Sequence, residues 1–195
     1  MARPAHKLLS YQDYLDLEAS TGVRHEFLEG VAVAMSGGTL RHSRLKAKFS
    51  YRVQGCLGDS GSCDVYDSDG KVRSRELDFA SYPDLSVVCG PLVRHPNDPH
   101  AMTNPRLLAE VLSPSTEGYD RGDKFDHYRS IETLEHYVLV STNVTRVELF
   151  SRQHDGTWTL RVFGPGQALV IENMGIHVAL DDLYADLPDE EPASA

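Results

Sequence analysis

Three short stretches of the chain carry side chains whose types and spacing could do chemistry. The first is Arg106-Leu-Leu-Ala-Glu110-Val-Leu112. On an extended chain Leu108, Glu110 and Leu112 point one way, and Leu107, Ala109 and Val111 the other. Both faces are apolar, as in a central strand covered on both sides. A carboxylate there costs several kcal/mol unless a cation or donor meets it. Glu110 is therefore a candidate functional carboxylate; the plainer reading is a glutamate leaning out at a strand end. The second stretch is Pro83-Asp84, which opens the apolar run Leu85–Val88. Pro-Asp alone is ordinary turn chemistry. It gains meaning if Asp84 meets Glu110 from a neighbouring strand, because two carboxylates near one strand end make a compact oxygen site suited to Mg²⁺ or Mn²⁺. The third is Asp120-Arg-Gly-Asp-Lys124-Phe-Asp-His-Tyr128. On a helix Asp120, Lys124 and Tyr128 share one face. Lys124 is either one half of a surface helix pair or a cation entering the carboxylate site. In the second case it orients a water or stabilises charge developing at phosphorus.

A fourth pattern bears on the substrate. Arg41, Arg44, Lys48 and Arg52 fall at i, i+3, i+7 and i+11, beside the apolar face Leu45/Phe49/Val53. This basic stripe reads as a local phosphate track, or as the solvated flank of a helix.

The elements that must position these residues can be read from periodicity and caps. Ser10 to Ala19 reads as a helix, with Ser10 and Asp13 forming a capping box. Arg24 to Met35 reads as a hairpin turning at Glu29-Gly30. Thr39 to Leu57 is a helix ended by Gly58. Strands are expected at Cys63–Tyr66, Lys71–Leu77, Leu85–Val88 and Arg106–Leu112. Between the last two, Gly90 to Pro105 carries four prolines and is expected to be a surface loop. Ser113-Pro-Ser-Thr116 reads as a loop whose hydroxyls cap a helix over Tyr119–Ser130. A strand at Glu135–Val140 and short strands at Thr145–Phe150, Thr157–Phe163, Ala168–Glu172 and Gly175–Leu180 complete the chain. The fold class is α/β (α+β), a mixed β-sheet flanked by two or three helices.

Bulk properties narrow the function. With 195 residues, 41% of them hydrophobic, one domain with a sizeable core is expected over 1–187, ahead of an acidic tail at 188–195 that frays. The net charge of −10 excludes a tight, non-specific nucleic-acid coat; brief, metal-assisted contact is compatible with it. There are three cysteines, no CxxC, no apolar leader and no run of membrane-spanning length, which reads as a cytoplasmic protein in a reducing compartment. Asn143-Val144-Thr145 fits a glycosylation pattern and, without a leader, counts as chance. No G-x-S-x-G elbow, P-loop or G-x-G-x-x-G occurs, and His95 and His100 lack cysteine partners for a zinc site.

The ordered series of motifs resembles a known family. It comprises Arg24-His-Glu26-Phe-Leu-Glu-Gly30, His42, Tyr82-Pro-Asp84, Glu110-Val-Leu-Ser-Pro-Ser-Thr116, Asp120…Lys124…Tyr128 and Glu135-His-Tyr-Val-Leu-Val140. It is similar to the Uma family of restriction-endonuclease-like proteins, within the PD-(D/E)XK nuclease superfamily, over roughly residues 8 to 184. The resemblance implies a restriction-endonuclease-like core, with Asp84 and Glu110 as metal-binding acids. The superfamily lysine slot holds Leu112 here, and the resemblance implies that Lys124 supplies the cation from the following helix. Glu26 matches a family glutamate that would be a further metal ligand; His42, Asp120 and Tyr128 are supporting candidates. The expected function is a Mg²⁺- or Mn²⁺-dependent endonuclease acting on nucleic acid, DNA first, with a homodimer as an option and no membrane. The rival is a catalytically degenerate nuclease fold that serves as a binding or assembly module.

Overall fold

The alternating apolar pattern of the middle of the chain folds into a six-stranded mixed sheet. A computed structural model describes residues 8–35, 37–58, 62–74 and 76–189. In chain order the first half comprises α1 (Tyr11–Thr21), β1 (His25–Leu28), β2 (Val31–Ala34), α2 (Leu40–Leu57), β3 (Cys63–Asp67), β4 (Lys71–Arg73), β5 (Phe79–Ser81), β6 (Leu85–Cys89), β7 (Arg94–His95) and β8 (Asp98–Met102). The second half comprises β9 (Leu107–Leu112), α3 (Glu117–Arg121), α4 (Asp123–Tyr128), β10 (His136–Ser141), β11 (Val147–Arg152), β12 (Trp158–Phe163), β13 (Ala168–Ile171), β14 (Ile176–Ala179) and α5 (Leu180–Tyr184).

The central sheet runs β12-β11-β10-β9-β6-β3. β9 pairs parallel with β10 and antiparallel with β6, and all six of its residues are buried. Its two faces serve different cores. Leu107, Ala109 and Val111 pack with Leu45, Phe49 and Val53 of α2, while Leu108 and Leu112 pack with Phe125, Tyr128 and Tyr137. A second six-stranded sheet runs β2-β1-β5-β4-β8-β7, and β13 and β14 form a separate ribbon.

Local sequence chemistry explains the elements that position the site. Ser10 and Asp13 close the capping box of α1. Thr39 caps α2, accepting from the His42 N–H. The β1–β2 hairpin turns through Glu29 and Gly30, both at positive φ (47° and 85°). That is what a two-residue primed turn demands, and Gly30 accepts it without strain.

Several expectations are corrected. The proline-rich stretch is not all loop: β8 pairs parallel with β4 through Ala101 and Met102, while Pro99 sits exposed where no ladder bond to β4 is needed. The helix over Tyr119–Ser130 divides into α3 and α4 at Gly122, whose φ/ψ of −110°/−104° is not helical. Thr116 precedes α3 with no side-chain cap, its hydroxyl lying 2.9 Å from the Ser113 hydroxyl instead. Strand Lys71–Leu77 stops at Arg73, and β5 and α5 are additional elements. Cys63 and Cys89 are register partners and form a disulfide, an arrangement their spacing does not announce and a reducing compartment does not favour. Among the described residues no helix is long and apolar enough to cross a membrane. Of the tail expected to fray, Pro188 and Asp189 are described, and 190–195 lie outside the described residues.

Candidate active site

Leu85 is in register with Ala109, so the residue before it, Asp84, falls opposite Glu110 at one end of the β6–β9 pair. The Asp84 N–H lies 3.4 Å from Glu110 Oε2, and the Val111 N–H donates to Asp84 Oδ2 at 2.8 Å. The two acids therefore meet at the strand ends but are served from opposite sides of the sheet.

On the Glu110 side, Lys124 Nζ lies 2.9 Å from Glu110 Oε1, 2.7 Å from Glu26 Oε1 and 3.4 Å from Asp120 Oδ1. Tyr128 donates its hydroxyl proton to the same Glu110 Oε1 at 2.8 Å, and its oxygen lies 2.9 Å from Ser81 Oγ of β5. Lys124 and Glu110 are 5% and 4% exposed, so this is an interior cluster. Burial pushes the Glu110 carboxyl up to about 8; Lys124 opposes that shift, while Asp84 and Asp120 add to it. Burial also raises Asp120, although Lys124 and Thr116 oppose it. For Lys124 burial disfavours charge, but Glu110, Glu26 and Asp120 outweigh it and hold the ammonium well above the usual lysine range. Three carboxyl groups thus surround one ammonium, and at Glu110 burial is the leading cause of the shift.

On the Asp84 side the cations come from α2. His42 Nε2 lies 3.5 Å from Asp84 Oδ2 and 2.8 Å from the Val111 carbonyl oxygen; Lys46 Nζ lies 3.4 Å from Asp84 Oδ1. The Asp84 bond raises His42 against the lowering effect of burial. Burial raises the Asp84 carboxyl, but His42, the Val111 N–H and Lys46 together bring it below the usual range. Asp84 also lines a groove of about 700 Å³ between α2 and the β3–β4 turn.

The sequence candidates thus divide. Asp84, Glu110, Lys124, Asp120, Tyr128, Glu26 and His42 converge within one linked network. Glu26, expected beside the two acids as a third metal ligand, instead faces the Lys124 ammonium, which stands between it and Glu110. Among the described residues no three His, Cys, Asp or Glu side chains are gathered as a metal-binding group. The oxygens whose chemistry would suit a hard divalent cation are both Asp84 oxygens, Glu110 Oε2, which lies 3.4 Å from the Asp84 N–H, and the Val111 carbonyl. Mg²⁺ is commonly held by one or two carboxylates, with waters and substrate phosphate completing its shell.

The stripe Arg41, Arg44, Lys48 and Arg52 is not part of this cluster. Arg41 donates to the Thr142 and Pro188 carbonyls (2.7 and 2.9 Å), Lys48 to the Ala185 carbonyl, and Arg52 lies 3.4 Å from Asp182. Arg44 lines a groove with Asp186, Leu187 and Pro188. Three of the four hold the C-terminal segment against α2. The cation that sequence reasoning missed is Lys46, one helical turn after His42; that i, i+4 spacing was its only signal.

Comparison with known proteins places these residues in a family. A family model described as "Uma2: Putative restriction endonuclease" matches residues 11–182. An uncharacterized protein of Synechocystis is 35% identical over 179 residues, covering 92% of this chain and 93% of the relative. A second uncharacterized Synechocystis protein is 32% identical, covering 79% of this chain and 86% of the relative. The fold is similar to a crystal structure from Anabaena variabilis described as "a putative nuclease belonging to DUF820", with a TM-score of 0.70, 16% identity, and coverage of 84% of this chain and 91% of that one.

Proposed function

Since the chain belongs to the Uma2 family, described as "Putative restriction endonuclease", we propose that it is a divalent-metal-dependent nuclease that hydrolyses phosphodiester bonds of nucleic acid, DNA first, at the Asp84–Glu110 strand end. The observation that carries this reading is Glu110. It is a carboxylate buried in the centre of a sheet, set opposite a second acid, with a lysine ammonium 2.9 Å from one oxygen and the Asp84 N–H 3.4 Å from the other.

Each residue has a defined task. Asp84 and Glu110 Oε2 hold the metal, with the Val111 carbonyl available beside them. A divalent cation bound there supplies Lewis acidity to the phosphate and a more acidic bound water. Lys124 and the Tyr128 hydroxyl fix Glu110 Oε1, so that Oε2 remains directed toward Asp84. His42 bridges Asp84 and Val111 and sets the carboxylate plane. Lys46, which lines the groove beside Asp84, offers an ammonium to a non-bridging phosphate oxygen. Glu26 and Asp120 keep Lys124 charged and in place.

The test is a cleavage assay on single-stranded DNA, duplex DNA and RNA with Mg²⁺, Mn²⁺ or EDTA, beside an Asp84→Asn variant of unchanged circular dichroism. Metal-dependent cleavage that falls at least about 100-fold in the variant is expected for a lost metal ligand. Cleavage that persists in EDTA or in the variant would overturn the assignment. Nucleic-acid binding without cleavage would favour the binding-module reading instead.

A further inference from the structure

We infer that the groove along α2 receives an unpaired strand of nucleic acid, with Tyr51 stacking on a base and Lys46 meeting the phosphate beside Asp84. This rests on the nuclease reading for the position of the reacting phosphate. One wall is the α2 face that carries Lys46, Ser50, Tyr51 and Gln54; the other is the β3–β4 turn, with Asp67 and Ser68. Asp84 is among its lining residues, so the groove is continuous with the candidate active site.

Three observations select the occupant. First, Tyr51 is 76% exposed, and among the described residues no aromatic or cationic group lies on its ring. An exposed flat ring next to a charged groove is the device by which single-strand binders hold bases of any sequence. Second, a groove of about 700 Å³ is the size of a small-ligand site, enough for a nucleotide or two of a threaded strand. The β3–β4 turn stands against α2, and Lys46 Nζ donates to Ser68 Oγ across the gap at 3.2 Å. The flank of α2 that carries Lys46 is thus covered by the turn, which leaves it less free than an isolated helix to lie in the ~12 Å major groove of a duplex. Third, the groove contains one lysine against two acids, Asp67 and Asp84, in a chain of net charge −10. Phosphate neutralisation alone cannot hold a polyanion there, so base stacking supplies the attraction. Ser50 and Gln54 offer hydrogen-bonding groups along the same wall.

The experiment measures anisotropy of short labelled oligonucleotides (single-stranded DNA, single-stranded RNA and duplex DNA) against the full chain in EDTA, which halts metal-dependent cleavage. Single strands should bind more tightly than duplex. Tyr51→Ala should weaken single-strand binding about 10-fold, and Tyr51→Phe should retain it. The DNA and RNA arms identify which sugar the groove accepts. Tyr51 is on the surface, so loss of fold is not expected to confuse the outcome. Equal affinity for duplex and single strand, or Tyr51→Ala binding like the wild type, overturns the groove. If no metal supports cleavage while Tyr51-dependent binding persists, the nuclease reading fails and the groove stands as a binding site.

Discussion

At Glu110 the burial that a sheet centre imposes works against ionisation, and a pH dependence follows from the sign. The folded carboxyl titrates at about 8, against a usual glutamate value near 4.5. Between those values the folded chain keeps a proton that the unfolded chain has released, so stability falls as pH rises through that window. The metal-free protein should therefore lose Tm between about pH 5 and about pH 8, and Glu110→Gln should flatten that slope; equal slopes in both proteins would contradict the assignment. Lys124 gives a second prediction. Replacing it with Ala leaves Glu26, Glu110 and Asp120 facing one another in the interior, which should cost about 3–5 kcal/mol in urea unfolding. A loss below about 1 kcal/mol would mean that the cluster is more open than its geometry indicates. Glu110 was legible in sequence because a carboxylate inside an apolar strand is conspicuous. Lys46 was not, because a lysine on a helix flank looks the same whether it meets solvent or an active-site acid.

Among the elements, α2 carries the most consequence, because its two polar flanks do different things. One flank, His42 and Lys46, faces Asp84; the other, Arg41, Lys48 and Arg52, faces the C-terminal segment. Helical spacing displays both flanks in the sequence but cannot say what lies across from each. If the stripe were a phosphate track, Arg44→Glu with Lys48→Glu would flatten the salt dependence of duplex binding by roughly two. The contacts made by Lys48 predict instead faster amide exchange over Leu183 to Leu187, with the salt slope unchanged. Strand β8 shows the opposite limit of legibility: the prolines in and around it read as loop, yet Ala101 and Met102 pair with β4 and join it to the sheet. What secures it is long-range. Lys71, 5% exposed, lies 2.9 Å from Glu18 and 3.2 Å from Asp98, and the Tyr11 hydroxyl donates to Asp98 at 2.6 Å. These partners come from three elements, which no local pattern joins. Lys71→Met should destabilise the fold by about 3–5 kcal/mol, read by chemical denaturation, through the buried Asp98 and half-buried Glu18 it leaves without their ammonium.

For the whole molecule, charge decides how substrate is met. With 29 acidic residues against 19 lysines and arginines, the surface as a whole repels phosphate. Strand binding that relies on Lys46 alone should show a shallow salt dependence, with a slope near −0.7 for a single strand. The mixed sheet and the placement of Glu110 could be read from the chain because they lie in strongly patterned strands; Asp84, one residue ahead of its strand, drew notice only as the possible partner of Glu110 and through the family resemblance. The second sheet could not, because its strands are short and pair across large sequence separations, β1 with β5 and β4 with β8. The central claim is that Asp84 and Glu110 together hold one divalent cation, and calorimetric titration of Mn²⁺ into the full chain tests it most directly. The account predicts one site, with affinity increasing up to about pH 8 as the Glu110 proton is displaced, and lost in both Asp84→Asn and Glu110→Gln. Mn²⁺ binding of unchanged stoichiometry and affinity in both variants would contradict it.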